Sequence, residues 1–419
     1  MKKLVLIGCS ILLTLSLVAQ KKTRKAVFII VDGIAADIIE RENLPALKAI
    51  SSQGAYYRAW LGGEKGGYSQ TPTISAVGYN SVLTGTWANK HNVWGNGIEA
   101  PNYFYPTIFR LLKNQYPQKK IGIFSSWLDN RTKLVGDGLA ATGFIKADYV
   151  ADGFELDTIR FPHDKEHRYM ERIDQAVAQA AANHITQYGP DLSWVYMQYT
   201  DDMGHMHGDH PEYFKAVREM DQKIGLIWNA IKEREKKLGE EWLIYITTDH
   251  GRDAATGKGH GGQSYRERNI WIVTNKAGDN TYSKFFKPAN TDILPSIAHF
   301  LSMQLPVEVK RELDGQSLLG PSVITNMQVN YFQEKIDVSW TALDKNAEVK
   351  ILVSTTNNFK TGKADEYKEL ARVPAGKGSY ILDVSGLPSE FYKVVLETHG
   401  TTLNRWIELT PKKEKASTD

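Results

Sequence analysis

The sequence predicts an α/β protein: a central, mostly parallel sheet between helices, followed by a small β-sandwich. Three observations carry this. From Lys25 to about Leu319, apolar β-branched runs alternate with amphipathic stretches, the pattern of strands buried on both faces and joined by helical crossovers. After "DGQSLLGPSV" the texture changes to short alternating runs separated by turn signals, which reads as a sandwich. At 419 residues the chain is long enough for one large and one small domain with cores that need no covalent staples.

In chain order, "MKKLVLIGCSILLTLSLVAQKK" has a basic start, an apolar stretch and a small residue at Ala19. This is the layout of a secretory signal peptide over residues 1–19, and it predicts an exported, periplasmic or secreted protein. The single cysteine, Cys9, lies inside it; lipid attachment there is the alternative, but Cys9 falls early in the apolar run. The large domain is expected over 20–322. Its strand candidates are "AVFIIV" (26–31), "KIGIFSS" (120–126), "LSWVYMQY" (192–199), "WLIYITT" (242–248) and "NIWIVT" (269–274). The clearest helices are "YMERIDQAVAQAAANHI" and "EYFKAVREMDQKIGLIWNAIKERE", the latter with Ala216, Val217, Met220, Ile224 and Ile231 on one face. The sandwich is expected over 323–411, fibronectin type III-like in texture, with Trp340 in its core and Tyr392 as a corner tyrosine. Residues 412–419, "KKEKASTD" with its neighbours, read as a disordered tail.

Charge narrows the function. Lys and Arg number 51 against 48 Asp and Glu, a formal charge of +3, and the basic residues are scattered. That argues against a nucleic acid polymer as partner, and a mean hydropathy of −0.38 gives no internal membrane span.

The chemistry gathers where strands end. "AVFIIV" runs into Asp32-Gly33, the strand at 192 runs into "YTDDMGHMHGDH", and "WLIYITT" runs into Asp249-His250-Gly251, with "GKGHGG" carrying His260 beyond. One aspartate after a strand is ordinarily a cap or turn residue. Three such ends, two with histidine nearby, fit a metal site better, because the carboxyl ends of parallel strands form the ligand crevice and zinc-type ions favour imidazole and carboxylate. Asp201 and His205, spaced D-x-x-x-H across a glycine-bearing loop, can converge on one ion with His260. Asp32, Asp249 and His250 can hold a second. Two ions roughly 4 Å apart are suited to displacement at phosphorus. For the nucleophile, "QTPTISAVGYNSVLTG" has Ser75 opening a short helix; an N-cap is the plain reading, and an activated hydroxyl at an anion-binding helix start is the functional one.

These motifs resemble the alkaline phosphatase superfamily, most closely its type I phosphodiesterase/nucleotide pyrophosphatase branch. The likeness runs from "FIIVDG" to "TDILPSIAHFL" and "LDGQSLL", with the hydroxyl residue ten positions before the glycine of "TG". By resemblance, Asp32, Ser75, Asp249 and His250 bind one zinc, and Asp201, His205 and His260 the other. Ser75 attacks phosphorus to give a covalent intermediate that water hydrolyses; Thr73 is two positions early for the family spacing. A small-molecule phosphate ester is the implied substrate.

Some features depart from the branch. Ser75 and Gly78 stand where Thr and Asn are expected, which brings in an alkaline phosphomonoesterase as the second reading; a binding protein without catalysis is a third, disfavoured because every ligand position is filled. The C/S-x-P-x-R context of sulfatases is absent, and the signal peptide disfavours a cytosolic phosphosugar mutase. A monoesterase needs an added cation on the phosphate, and Asn130 or Arg131 in "SSWLDNRTKL" are the candidates, with Arg131 pairing to Asp129 or Asp137 as the structural alternative. Asp202, His207 and His210 break the spacing and read as flanking groups; Asp221 reads as the polar side of a helix and His299 as a core histidine. The aromatic loops "YRAWLGGEKGGYS" and "EAPNYFYPT" are candidates to stack a base.

Overall fold

The computed structural model describes residues 22–409; the expected signal peptide and tail lie outside them. The described residues form a seven-stranded sheet and, after it, two antiparallel sheets of four and three strands. The large sheet contains β1 (Arg24–Val31), β2 (Ala55–Trp60), β3 (Ile121–Ser125), β4 (Tyr149–Ala151), β5 (Leu192–Met197), β6 (Glu241–Thr247) and β7 (Asn269–Thr274), in the order β2-β7-β6-β1-β5-β3-β4. β1 lies between β5 and β6, parallel to both. β7 pairs antiparallel with β6 and with β2, so the sheet is mostly parallel. The five expected strands are all present. β2 and β4 lacked a readable signal: "AYYRAW" is half-exposed and β4 has three residues.

Alternation along β1 divides two cores. Phe28 and Ile30 face one apolar cluster, while Val27, Ile29 and Val31 face another. The first is covered by α1 (Ser75–Thr84), all ten residues of which are buried. The second is covered by α2 (Arg168–Tyr188) and α4 (Pro211–Leu238), whose apolar stripes contribute Val177, Ala181, Val217 and Ile224. Between them in sequence comes α3 (Tyr199–His207). Gly85 ends α1 in the left-handed conformation (φ +65°), the usual glycine terminator.

The sandwich has β8 (Ile324–Phe332), β9 (Lys335–Ala342) and β12 (Ser379–Asp383) in one sheet, and β10 (Glu348–Ser354), β11 (Lys368–Pro374), β13 (Phe391–Glu397) and β14 (Thr402–Glu408) in the other. Trp340 is 6 % exposed and belongs to its core. The Tyr392 hydroxyl donates to Leu387 O (2.9 Å) and accepts from Ser389 N, the back-bonding of a tyrosine corner.

Candidate metal centre

Three adjacent strands, β6, β1 and β5, deliver the acidic residues to one end of the sheet. The Asp32 N–H donates to Met197 O at 3.0 Å, so pairing with β5 continues to the last residue before the turn. Gly33 then adopts φ +67° and gives its N–H to Asp249 Oδ1 at 3.1 Å. The segment expected as a glycine-bearing loop is helical: α3 starts two residues after β5. Asp201 and His205 therefore meet as an i, i+4 pair on one helix face, with His205 Nε2 3.2 Å from Asp201 Oδ2.

The ligand-type atoms converge in two groups, Asp32–Asp249–His250 and Asp201–His250–His260, each within 4.8 Å. His205 joins the second, its Nε2 3.0 Å from His260 Nε2. His250, assigned by spacing to one ion, lies between both groups and stacks on His260 with ring centroids 3.7 Å apart. The Nδ1 atoms of His250 and His260 each meet a backbone carbonyl, Gly251 O and Thr73 O, at 2.9 Å. With the proton placed there, both Nε2 lone pairs face the cluster, the usual orientation of ligating imidazoles.

The carboxylates are incompletely satisfied. Asp32 Oδ2 accepts from the hydroxyls of Tyr79 and Tyr196, and Asp249 Oδ1 from Gly33 N and Thr248 Oγ1. Asp32 Oδ1 and Asp249 Oδ2 are buried with no hydrogen-bond partner; they lie 3.3 and 3.2 Å from His250 Nε2, which carries at most one proton for both. Buried orphan carboxylate oxygens are rare in folded proteins, and a divalent cation bound by these residues would satisfy them. Burial, then the charge of Asp32, pushes Asp249 well above the ordinary carboxylate range. Burial alone would depress His250, but the charges of Asp249, Asp32 and Asp201 raise it to about 9. Burial opposes ionisation of Asp201 too, yet the His205 hydrogen bond and Arg252 hold it below its usual value. Arg252, unremarked in the sequence, is fully buried against Asp201.

Ser75 is the first residue of α1; the N-cap position belongs to Ile74, so the serine is not capping. Its Oγ is 3.3 Å from His250 Nε2, at the junction of the two groups. The Thr73 hydroxyl is occupied on both sides, donating to Gly262 O and accepting from Gly261 N. Gly78 has a packing reason: a Cβ there would lie 2.5 Å from Asp249 O. Asn96, overlooked in the sequence because its "WGN" context reads as a turn, accepts from Ala76 N at 3.0 Å, and its side chain borders the space in front of Ser75.

That space is a cavity of about 360 Å³, with Asn96, Trp127, Glu155, His163, Tyr169 and Gln198 on its wall beside Asp32 and Ser75. Asn130 and Arg131 do not reach it. Asn130 is 0 % exposed and donates to Ser125 Oγ. Arg131 forks onto Asp152 and also binds Asp137, so its donors serve the local fold; Asp129 pairs with Lys133 instead. Asp202 binds His167 Nδ1 at 2.9 Å and Gln198, and His207 stacks on His210. Asp221 is buried and accepts from Ala46 N and Leu47 N, capping the helix Pro45–Ser51; a cap supplied from a distant helix leaves no local sequence signal. His299 is exposed rather than core, with Gly320 against its ring. The expected stacking loops are engaged elsewhere: Tyr68 stacks on Trp406, Tyr105 packs on Phe359, and Trp60 lies under Arg268.

The sheet order, with ligand-type residues at three neighbouring strand ends and a serine at a helix start facing them, defines a member of the alkaline phosphatase superfamily. Within it the chain belongs to the type I phosphodiesterase/nucleotide pyrophosphatase family, whose model matches residues 26–296. An ectonucleotide pyrophosphatase/phosphodiesterase of Caenorhabditis elegans is 23% identical over 228 residues, 54% of this chain and 25% of the relative, so the match spans about a quarter of that relative's length. Among solved structures, a putative sulfatase from Bacteroides thetaiotaomicron is similar in fold (TM-score 0.52, 12% identity, 87% of this chain and 86% of that one). Human ectonucleotide pyrophosphatase/phosphodiesterase 5 aligns at TM-score 0.46 and 13% identity, over 67% of this chain and 96% of that one. Among the described residues no helix is long and apolar enough to cross a membrane.

Proposed function

We propose that this chain is an exported phosphodiesterase or nucleotide pyrophosphatase that uses two divalent metal ions, zinc by ligand type, and Ser75 as nucleophile. Asp32, Asp249, His250 and Ser75 would hold one ion; Asp201, His205 and His260 the other. When bound, the ions offset charge on the non-bridging phosphate oxygens and favour the ionised serine. Ser75 Oγ bonds to phosphorus as the ester oxygen on the opposite side departs, and water later cleaves the seryl phosphate ester. Asn96, its carbonyl oxygen taken by Ala76 N, has its amide N–H groups left to orient a phosphate oxygen.

The observation that supports this reading is the position of Ser75 Oγ, 3.3 Å from His250 Nε2 beside two orphan carboxylate oxygens. Diester over monoester is supported by the cavity wall, which among the described residues presents Glu155 and no Arg or Lys; a second phosphate charge would find no added cation there. The aromatic and polar side chains of that wall fit an organic ester group. The sandwich, a four-stranded and a three-stranded sheet read here as fibronectin type III-like, is assigned no chemistry. The test is the zinc-loaded chain assayed on bis(p-nitrophenyl) phosphate and p-nitrophenyl phosphate, beside Ser75→Ala. A diester preference that disappears in Ser75→Ala is the expected result; a monoester preference moves the chain to the phosphatase reading, and activity surviving Ser75→Ala removes the serine from the mechanism.

A further inference from the structure

We infer that Arg252 is a positioning residue for the Asp201–His205–His260 ligand group, holding the Asp201 carboxylate through Oδ1, the oxygen that faces the Nε2 atoms of His250 and His260; this rests on the two-metal reading above. Arg252 follows "DHG" directly, and its side chain is 0 % exposed. Burying a guanidinium is costly unless its donors are met, and here they are distributed over three segments. Nε donates to Gly33 O (2.9 Å) at the end of β1, and Nη1 to Lys258 O (2.9 Å), two residues before His260. Nη2 donates to Asp201 O (2.8 Å) and, by a short contact, to Asp201 Oδ1. That Oδ1 lies 3.9 Å from His250 Nε2 and 4.0 Å from His260 Nε2, and Asp201 Oδ2 lies 3.2 Å from His205 Nε2.

Two glycines of the metal motifs lie against this side chain, Gly33 also against Asp201 Oδ1. A Cβ on Gly204, inside α3, would collide with the guanidinium carbon, and one on Gly33 would lie 2.6 Å from Nη2. The Tyr213 ring sits with its centroid 5.5 Å from Cζ, and its hydroxyl donates to Gly33 O at 2.7 Å. A residue that merely pinned loops would need the three carbonyls alone. The added bond to the Asp201 carboxylate ties the same guanidinium to one ligand of the group, while Lys258 O ties it to the loop that carries another. Removing a partner that orients a metal ligand commonly weakens the ion about 10–100-fold.

The test is a cobalt(II) titration of the full chain stripped by chelator, followed by visible absorption and by bound-metal stoichiometry, with far-UV circular dichroism and thermal unfolding as folding controls. Wild type is expected to bind two ions, and His205→Ala identifies the ion belonging to this group. Arg252→Lys keeps the charge but lacks the planar fork; it is expected to hold that same ion about 10–100-fold more weakly and the other ion as in wild type. Gly204→Ala, which displaces the guanidinium without removing it, is the second variant and is expected to weaken the same ion. If folded Arg252→Lys and Gly204→Ala bind both ions as tightly as wild type, the inference is overturned. If wild type itself binds fewer than two, the two-metal reading falls and the inference with it.

Discussion

Two clusters of buried charge in this molecule have opposite characters. Where the sandwich meets the large domain, Lys393 bridges Glu312 and Asp365, and Lys90 binds Asp314 Oδ1, Glu312 O and Asn404 Oδ1. Every carboxylate oxygen there has a partner: Glu312 Oε2 meets the Tyr105 hydroxyl, Asp314 Oδ2 takes Trp87 N, and Asp365 Oδ1 takes Thr356 Oγ1 and Asn358 N. At the ends of β1 and β6, by contrast, Asp32 and Asp249 each keep an oxygen with none. Burial makes an uncompensated charge expensive in both places, so the difference shows which cluster is complete by itself and which calls for a cation. The first seals an interface a few residues beyond α1; the second has the chemistry of a site.

The comparison can be broken most sharply at Asp249. Asp249→Asn keeps the oxygen that accepts from Gly33 N and Thr248 but loses a ligand charge. The diesterase kcat/KM is expected to fall roughly 10³-fold, the loss of about 4 kcal/mol of transition-state stabilisation. The metal-free variant is expected to melt at a higher temperature than metal-free wild type, since a like-charge contact with Asp32 is relieved; calorimetry after chelation reads this, and a lower melting temperature would mean the acidic pair is not under strain without metal.

Lys393→Met addresses the completed cluster. It leaves Glu312 and Asp365 facing each other and is expected to destabilise the fold by about 3–5 kcal/mol, in urea unfolding, equally with and without zinc. A loss that zinc reverses would merge the two clusters into one. Zinc itself, at a hundred times its Kd, is expected to stabilise wild type by about 2.7 kcal/mol and Asp249→Asn by less.

A third buried carboxylate, Asp292, is compensated by hydrogen bonds from Gln316 N, Ala289 N and the Tyr282 hydroxyl. Burial lifts its pKa to about 7. A raised folded-state pKa stabilises the fold fully below the unfolded value near 3.8 and progressively less as pH rises through 7. Wild-type stability should therefore decline between pH 4 and 7 more steeply than that of Asp292→Asn, by less than about 4 kcal/mol over the interval; parallel pH profiles would contradict this. The smallest catalytic effect is expected at Arg131. Arg131→Ala should destabilise by about 1–3 kcal/mol through its lost charged hydrogen bonds while changing diesterase kcat/KM less than twofold; a far larger kinetic loss would return Arg131 to the phosphate.

The elements and most of the metal-type residues were legible because their signals are local. A strand buried on both faces must be apolar along its length, and the acidic residue that follows it is conspicuous; hence β1, β5 and β6 with Asp32, Asp201 and Asp249. Ser75 and the histidines could be grouped by spacing and resemblance. Signals were missing where the determining partner is far away in sequence. Asp221 caps a helix some 170 positions earlier, Arg131 is spent on Asp152, a Cβ on Gly204 would meet Arg252, and Gly33, left-handed at φ +67°, has Asp201 and Arg252 against it. Asn96 accepts from Ala76 N, beside Ser75 and twenty positions earlier, and the helix at 199–207 contains a glycine and two histidines that disguise its period.

By itself, then, the sequence determined the fold class, the strand ends that carry the acidic residues and the family to which they belong, because hydrophobic periodicity and motif order are written along the chain. The tertiary structure decided which oxygens remain unsatisfied, that His250 stands between both ligand groups, that Arg252 lies on Asp201 while Arg131 pairs with Asp152 and Asp137, and that the sandwich is joined through buried ion pairs. Those are properties of convergence: each depends on the distance between groups that folding alone brings within a few ångströms, where burial makes the presence or absence of one hydrogen bond worth a large part of the stability of the whole.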